Sequence, residues 1–226
     1  MKPKVICIIP ARGGSKGLKN KNILKLDKLP LIAYPIKAAK SSKYIDKIIV
    51  TTDSKKIAEI SKSYGAEIPF LRPKKISQDL STTEETLKHA LLEYERKTKI
   101  KFDICVFLTC TDIFRKVSWI DEVILNLIKN PKLESCFVAN STHKNYWQEE
   151  KKGEMKRILP SMKNYSSRQE KKPIFREDTG LASASRANLW RKGKRIGNNV
   201  KILINDNFET SIDIHSKFDF YLTKKV

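Results

Sequence analysis

Residues 5–22 read VICIIPARGGSKGLKNKN, and this stretch decides the fold. Residues 5–9 are a short apolar run, typical of a strand that is buried on both faces of a sheet. The segment that follows, 10–22, is rich in glycine and lysine. In open α/β folds, ligands bind beyond the carboxyl ends of the strands, where backbone N–H groups converge on phosphate. The stretch therefore predicts a first strand that leads into a phosphate-binding loop.

The loop contains two kinds of residue that suit phosphate. Three glycines are expected to give it backbone conformations that residues with a Cβ reach poorly: Gly13, Gly14 and Gly17. Three cations are expected to donate hydrogen bonds to a triphosphate: Arg12, Lys16 and Lys21. The loop is not a Walker A motif, which ends in Gly-Lys followed by Ser or Thr, because Leu18 follows Gly17 here. On these residues alone, a glycine-rich turn with solvent-facing lysines is an equally good interpretation.

Short apolar runs alternate with longer amphipathic segments along the chain. Five runs are predicted strands: 5–9, 47–51, 104–108, 136–139 and 200–204. Four segments are predicted helices: 31–40, 54–64, 82–97 and 118–130. Ser118, followed three residues later by Asp121, suggests a capping box at the start of the last helix. This order predicts an α/β fold with a Rossmann-like, doubly wound and mostly parallel sheet.

Residues 141–176 interrupt this alternation. The segment is charged, contains prolines and has little periodicity, and the α/β pattern resumes near Gly180. A long excursion in a compact fold usually serves a function, as a lid or as a contact with a partner. We therefore expect one domain over residues 1–226, with 141–176 as an inserted segment of this kind.

The composition sets limits on partners and location. The net charge is +21, but only 10 of the 46 basic residues are arginine and the lysines are spread along the chain. This distribution favours lysine-rich solvated faces over a nucleic-acid surface, although a positive field also attracts a nucleotide. No apolar run is long enough to span a bilayer, and the N-terminus does not resemble a signal peptide, so a cytoplasmic protein is expected. The cysteines lack metal-ligand spacing and are expected to be reduced structural thiols: Cys7, Cys105, Cys110 and Cys136.

Six segments, in order along the chain, are similar to one enzyme family. They read IIPARGGSKGLKNKN, IDKIIVTTDSKKIAEISKSYGAE, FLRPKKISQD, DICVFLTCTDIFR, SRQEKKPIFREDTG and SIDIHSKFDF. In this order they resemble the CMP-sialic acid synthetases, also called acylneuraminate cytidylyltransferases. The resemblance covers nearly the whole chain and agrees with the predicted order of strands and helices.

The resemblance implies a reaction and a set of residues. The anomeric hydroxyl of an acidic nine-carbon sugar would attack the α-phosphorus of CTP, giving a CMP-sugar and pyrophosphate. The nucleotide phosphates would contact Arg12, Gly13, Gly14, Ser15, Lys16 and Lys21, and the cytosine would contact Arg72, Ser81 and Thr83. The sugar would contact Thr109, Arg168 and Arg176. The resemblance also implies a homodimer exchanging the 141–176 segment, with Arg168 contributed across the interface, and a catalytic set of Arg12, Lys21 and Asp213. Arg72 could instead be an ordinary surface arginine before Pro73, although this is the less favoured interpretation. Without the resemblance, Arg168 and Arg176 could equally be exposed arginines.

The C-terminal segment departs from the family pattern at a metal position. The family's Asp-x-Asp pair, which holds a divalent metal, reads Asp213-Ile214-His215 here. Mg²⁺ favours oxygen ligands and imidazole suits softer metals, so Asp213 is the first expected ligand of Mg²⁺ or Mn²⁺. His215 could converge on the same ion or pair with a nearby acid. Asp112 is a second candidate ligand that would replace the lost carboxylate, or else a turn residue.

Two further departures concern the sugar. Thr109 stands where the family has a glutamine, and Thr179-Gly180-Leu181 replaces the start of its NGAIY motif. These changes favour a different acidic sugar, such as legionaminic or pseudaminic acid. Two alternatives are a Kdo-type cytidylyltransferase and a non-catalytic homologue that binds nucleotides or nucleic acid.

Overall fold

A computed structural model describes residues 2–14, 17–163, 167 and 169–226 of the protein. The larger strands are β1 (Val5–Pro10), β4 (Lys47–Thr51), β5 (Ile104–Phe107), β6 (Ser135–Thr142), β10 (Ser183–Arg186) and β11 (Val200–Asn205). The smaller strands are β2 (Lys25–Leu26), β3 (Leu29–Pro30), β7 (Trp147–Lys151), β8 (Glu154–Arg157) and β9 (Ile174–Glu177). All five predicted strands are present, and 47–51 has the predicted bounds. Each of the other four differs from its prediction by between one and four residues, counted over both ends.

The central sheet has the order β11-β6-β10-β5-β1-β4, and β9 pairs with β6. β1 is parallel to β4 and β5, and β6 is parallel to β11. β10 lies between β5 and β6 and is antiparallel to both, so five of the six strands in this order run in one direction. This confirms the prediction of a Rossmann-like, mostly parallel sheet. The carboxyl ends of β1, β4 and β5 therefore lie at one edge, where the predicted phosphate loop begins.

Six α-helices are described: α1 (Ala33–Lys40), α2 (Lys55–Ser63), α3 (Thr83–Thr98), α4 (Val117–Lys129), α5 (Ala187–Arg191) and α6 (Lys217–Thr223). The first four match the predicted helices within two residues at each end. α3 begins with a capping box formed by Thr82 and Glu85. The capping box predicted at Ser118 is wrong, because α4 already begins at Val117 with Lys116 as its N-cap residue. Ser118 therefore lies inside the first turn and cannot cap it.

The core has two parts, one on each face of the sheet. On β1, Val5 and Cys7 pack into a cluster with Ile36 of α1 and Ile124 of α4. The alternate residues of β1 pack on the opposite face with α3 and α5: Ile6 and Ile8 with Leu87, Leu91, Tyr94 and Trp190. Helices thus cover both faces, as the doubly wound prediction requires. All four cysteines are buried and free, as expected.

The 141–176 segment leaves the sheet and returns to it. β6 continues to Thr142, and β9 comes back antiparallel to it, with Ala139 opposite Glu177. Between them, β7 and β8 form a separate two-stranded hairpin, followed by a 3₁₀ turn at Pro160–Lys163. The ends of the predicted excursion therefore belong to the central sheet. Of the helices just described, none combines the length and the apolar character that crossing a membrane requires.

Candidate active site

Two adjoining cavities lie beyond the carboxyl ends of β1 and β5. The first, here called the loop cavity, has a volume of about 490 Å³ and is lined by the loop after β1, residues 76–83 and the end of β5. The second, the acidic cavity, has a volume of about 480 Å³ and is lined by residues 109–112, 176–180 and 210–215, among others. The two share four lining residues: Thr83, Thr109, Thr111 and His215. This arrangement suits two ligands that meet at a common wall.

Arg12 lies at the mouth of the loop cavity and is held at both ends. Its Nη1 donates to Asp79 Oδ1 at 2.9 Å, and its carbonyl accepts a hydrogen bond from Asn22 Nδ2 at 2.9 Å. The next residue, Gly13, donates its N–H to Asp53 Oδ1 at 2.8 Å. Asp53 follows β4, so two strand ends fix the start of the loop. Asn22 and Asp79 were not among the predicted site residues, although each is the last residue of a quoted segment, IIPARGGSKGLKNKN and FLRPKKISQD.

The predicted reason for the loop glycines is wrong. Positive φ angles occur at other described glycines, but Gly13, Gly14 and Gly17 have none. Gly17 is needed for close approach instead: a Cβ there would lie 2.5 Å from the carbonyl oxygen of His215. A Cβ at Gly14 would meet nothing within 4 Å. Of the other predicted phosphate contacts, Ser15 and Lys16 lie outside the described residues.

Lys21 lines the loop cavity next to the C-terminal segment. Its Nζ donates to the carbonyl oxygen of Ile214 at 2.9 Å. Burial lowers the pKa of this ammonium, and the nearby Asp213 carboxylate partly opposes that change. Lys21 therefore connects the predicted phosphate loop to the segment that carries Asp213, although almost two hundred residues separate them in sequence.

The three residues predicted to contact cytosine all line the loop cavity: Arg72, Ser81 and Thr83. Arg72 is only 5% exposed, so the alternative of an ordinary surface arginine is wrong. Its Nε donates to Ser77 Oγ at 3.0 Å, and burial lowers its pKa, opposed by Asp53. The guanidinium is thus held in place at the wall of the cavity.

The three predicted metal residues meet at the acidic cavity. Asp112 accepts a hydrogen bond from Thr109 Oγ1, and burial, with a contribution from Asp213, raises the pKa of its carboxyl. Asp213 Oδ2 lies 2.7 Å from His215 Nε2, while Asp213 Oδ1 is buried and has no hydrogen-bond partner. The His215 side chain is 70% exposed. Its pairing with Asp213 matches the predicted alternative of a partner for a nearby acid.

The donor set can be tested against a divalent metal. No group of three or more His, Cys, Asp or Glu side chains is arranged to hold an ion among residues 2–14, 17–163, 167 and 169–226. Mg²⁺, however, is usually bound by one or two carboxylates together with substrate phosphates and water. The unpartnered Oδ1 of Asp213 and the nearby Asp112 carboxylate fit a magnesium ion of that kind.

Two of the three predicted sugar residues line the acidic cavity. Thr109 lines both cavities, and Arg176 lines the acidic cavity, where its Nε donates to Asp178 Oδ1 at 2.9 Å. Arg168 lies outside the described residues. Gly180 packs against Asp112 so closely that a Cβ would overlap the carboxylate. The absence of a side chain at Gly180 therefore lets the backbone lie directly against the Asp112 carboxylate.

Two further arginines of this region were not predicted. Arg115 donates to the carbonyl oxygens of Thr109, Gly180 and Leu181, and so joins two walls of the acidic cavity. Its sequence signal was the final arginine of DICVFLTCTDIFR. Arg195 lines the same cavity but lies in a segment without a motif.

The acidic cavity contains polar atoms without partners. Within the described part of the chain, three of the five buried side-chain atoms that lack a hydrogen bond belong to residues lining it: Asp178 Oδ2, Arg195 Nη1 and Asp213 Oδ1. Buried polar groups are nearly always hydrogen-bonded, and an unpaired one needs an explanation. A polar ligand with several donors and acceptors would satisfy these atoms if small side-chain rotations turned them toward the cavity.

Comparison with known proteins agrees with this site. A model of the cytidylyltransferase family matches residues 6–214. Post-translational flagellin modification protein B of Campylobacter coli is 29% identical over 98% of this chain and 94% of that protein. CMP-N,N'-diacetyllegionaminic acid synthase of Campylobacter jejuni is 28% identical over the same shares. N-acylneuraminate cytidylyltransferase of Escherichia coli is 44% identical over 62% of this chain and 32% of that protein.

Solved structures share the fold at low sequence identity. A CMP:2-keto-3-deoxy-manno-octonic acid synthetase complexed with CTP has a TM-score of 0.69 and 13% identity, covering 99% of this chain and 100% of that one. A 4-diphosphocytidyl-2C-methyl-D-erythritol synthase has a TM-score of 0.70 and 11% identity, covering 100% and 98%. Because the family match spans both cavities, the chain belongs to the cytidylyltransferase family, as a divergent relative of the CMP-sialic acid synthetases.

Proposed function

We propose that the chain activates an acidic nine-carbon sugar with CTP. The observation that carries this proposal is the pair of cavities that share a wall at Thr109, Thr111 and His215. One is bordered by the cations of the loop after β1, and the other by polar atoms that lack partners. The names of the relatives, which include synthases of CMP-diacetyllegionaminic acid and pseudaminic acid cytidylyltransferases, support an acidic sugar as the second substrate.

The loop cavity would hold CTP. Arg12, Lys16 and Lys21 would neutralise the charge of the phosphates. The backbone of Gly13 and Gly14 and the Ser15 hydroxyl would contact the phosphates as neutral groups. Asp79 pairs with Arg12 in the structure described, so the triphosphate would replace this carboxylate as the arginine's partner. Arg72, Ser81 and Thr83 would contact the base, and the fixed guanidinium of Arg72 can donate to a carbonyl oxygen of cytosine.

The acidic cavity would hold the sugar against the α-phosphate. Thr109, at the shared wall, and Arg176 would contact it, and Arg168 would join them from the partner in a homodimer. The anomeric oxygen forms a bond to the α-phosphorus, the bond from that phosphorus to the oxygen it shares with the β-phosphate breaks, and the hydroxyl proton passes to water. Pyrophosphate and the CMP-sugar result. Catalysis of this kind rests on positioning and on neutralising charge.

A magnesium ion, with manganese as a substitute, would be held by Asp213, with Asp112 as the second carboxylate. When bound, the ion would neutralise charge on the phosphates. Asp213 also lies close enough to Lys21 to affect its pKa. The carboxylate is thus placed between the sugar side and the phosphate side of the site.

The 141–176 segment would form the dimer contact. Among the residues of this segment that the structure describes, six large apolar side chains are at least about a third exposed: Tyr146, Trp147, Met155, Ile158, Leu159 and Phe175. Several exposed apolar side chains within one inserted segment would suit a contact with a second copy of the chain. Analytical ultracentrifugation should detect a dimer that Trp147→Glu weakens; a monomeric wild type would contradict this part of the proposal. The cytoplasmic location expected from the sequence stays a prediction.

The test is release of pyrophosphate from CTP across a panel of acidic sugars. The panel would contain N-acetylneuraminic, legionaminic and pseudaminic acids, with an eight-carbon keto-deoxy acid for the Kdo-type alternative. We expect release with CTP and at least one nine-carbon sugar. CTP binding without release from any sugar would support a degenerate homologue, and tight oligonucleotide binding that falls steeply with salt would support a nucleic-acid protein.

A further inference from the structure

Arg195 is fixed at the wall of the acidic cavity by its own main chain. It lies between α5 and β11, and its carbonyl oxygen accepts hydrogen bonds from Ser185 Oγ at 2.7 Å and Trp190 Nε1 at 3.0 Å. Ser185 and Trp190 are buried at 1% and 2% exposure. The position from which the Arg195 side chain reaches the cavity is therefore set by the core.

The guanidinium of Arg195 has hydrogen-bond partners, but not for all of its N–H groups. Its Nε lies 3.4 Å from Glu84 Oε1 and its Nη2 lies 3.5 Å from Glu177 Oε2, both at the long limit of a hydrogen bond. Its central carbon lies 5.6 Å from the centre of the Phe107 ring. The side chain is 17% exposed, and Nη1 is buried without a partner. A buried donor without an acceptor is costly, so a small rotation of the side chain that brings Nη1 to the cavity and onto a ligand oxygen would be favourable.

The charge around Arg195 indicates which oxygen this is. Two carboxylates, Glu84 and Glu177, face its single positive charge, and three more acids line the same cavity: Asp112, Asp178 and Asp213. A further carboxylate at Arg195 would be repelled by these groups, whereas a neutral carbonyl oxygen would not. The unpartnered Asp178 Oδ2 can in turn accept an N–H. An acylamino group offers one carbonyl oxygen and one N–H, the acceptor and the donor that these two atoms lack.

We propose that Arg195 Nη1 donates a hydrogen bond to the carbonyl oxygen of an N-acyl substituent on the acceptor sugar. Arg195 thereby selects N-acylated sugars over sugars with a hydroxyl group at that position. This inference rests on the proposed function and adds a specificity residue to it. A site whose polar groups are left unpaired by the wrong substrate rejects that substrate strongly.

The experiment measures equilibrium binding of sugars to protein loaded with a CTP analogue that has a methylene group between the α- and β-phosphorus. The acylated probes are N-acetylneuraminic acid and N,N'-diacetyllegionaminic acid, and the comparison probe is the neuraminic acid analogue with a hydroxyl in place of the acylamino group. The variants are Arg195→Met and Arg195→Lys, which keeps the charge facing Glu84 and Glu177. Lys194→Met, at the exposed neighbouring position, is the matched control.

We expect Arg195→Met to weaken binding of the better acylated probe by roughly 10- to 100-fold and binding of the hydroxyl analogue by less than about threefold. Arg195→Lys should lose most of the same preference, and Lys194→Met should keep it. Equal weakening of both sugars, an unchanged preference, or a wild type that does not prefer the acylated probes would overturn the inference. Pyrophosphate release by the wild type is measured separately. If the wild type releases pyrophosphate but Arg195→Met keeps the preference for acylated sugars, only the role of Arg195 is rejected. If no sugar gives release, the proposed function itself is rejected.

Discussion

Gly17 lies directly against the main chain of His215, so that a Cβ at Gly17 would be 2.5 Å from the His215 carbonyl oxygen. Four residues further along the loop, Lys21 Nζ donates to the carbonyl of Ile214. The phosphate loop after β1 is thus packed onto the segment that carries Asp213. A change at this contact is expected to disturb the nucleotide side and the metal side of the site together.

The first prediction concerns this contact. Gly17→Ala should lower kcat/KM for CTP by roughly 100-fold, because the loop must move away from His215 and small misplacements at a reacting site are costly. Lys19→Ala, at an exposed position of the same loop that lines neither cavity, is the control. Steady-state kinetics would measure the loss of kcat/KM. Equal melting temperatures for both variants would show that the loss is not caused by unfolding. Equal activity of the two variants would show that the contact has no functional role.

The second prediction concerns Lys21. Lys21→Met should lower kcat by on the order of 100- to 1,000-fold, because it removes a fixed cation from the phosphate side of the reaction. Lys19→Met, at an exposed position of the same loop that lines neither cavity, should change kcat by less than about threefold. Rapid-quench measurement of the single turnover separates this effect from product release. A similar loss in both variants would point to a general effect of loop charge.

The third prediction concerns the metal ligands. Asp213→Asn should raise the Mg²⁺ concentration for half-maximal activity by at least about 10-fold, because it removes the carboxylate whose Oδ1 is unpartnered. His215→Asp should lower that concentration, since a second carboxylate suits a hard cation better than imidazole does. Binding of Mn²⁺ in the presence of CTP, followed by electron paramagnetic resonance, gives a second readout. If Asp112→Asn leaves Mg²⁺ dependence unchanged, Asp112 is not a ligand.

The fourth prediction concerns stability and pH. Glu95 is 2% exposed and accepts hydrogen bonds from Arg191, Lys101 and the Phe102 N–H. Burial by itself would raise its pKa, but these donors outweigh burial and hold the pKa below its ordinary value of 4.5. A lowered folded-state pKa means that the stabilisation is present above the unfolded pKa and is lost as the pH falls through the folded one.

Glu95→Gln should therefore destabilise the fold by about 3 kcal/mol at neutral pH, because Arg191 loses its charged partner. The difference from wild type should shrink as the pH falls below about 4.5. Melting temperatures between pH 3 and pH 7 would check it, with Glu93→Gln as the control because its ion pair with Arg96 is at the surface. A difference that does not change with pH would contradict the assigned cause.

The strands that sequence reasoning found are those whose signal is local. In β4 the apolar residues 48–50 are bounded by the polar Lys47 and Thr51, and the bounds of this strand were predicted correctly. β10 was missed because it buries Ser183 and Ser185, and Ser185 Oγ is satisfied by a hydrogen bond with Ser135 Oγ on β6. Such a strand is stabilised by its neighbours in the sheet, so no periodicity in its own residues indicates it.

The same limit applies to the site. Arg12, Lys21 and Arg72 lie in or beside recognisable motifs, and the structure places all three at the loop cavity. Arg195 and Asp178 come together only because β9, β10 and the turn before β11 fold around the end of β5. Their importance lies in unpaired donors and acceptors, and a sequence does not record which polar atoms are buried and unsatisfied.

The most direct test of the central claim is the mass of the product formed from CTP and an acidic nine-carbon sugar whose anomeric hydroxyl carries oxygen-18. The account predicts a CMP-sugar that retains the heavy oxygen between the sugar carbon and the phosphorus, with none in the pyrophosphate. A product without the label, or hydrolysis to CMP and pyrophosphate with every sugar, would contradict attack of the sugar oxygen on the α-phosphorus at the shared wall of the two cavities.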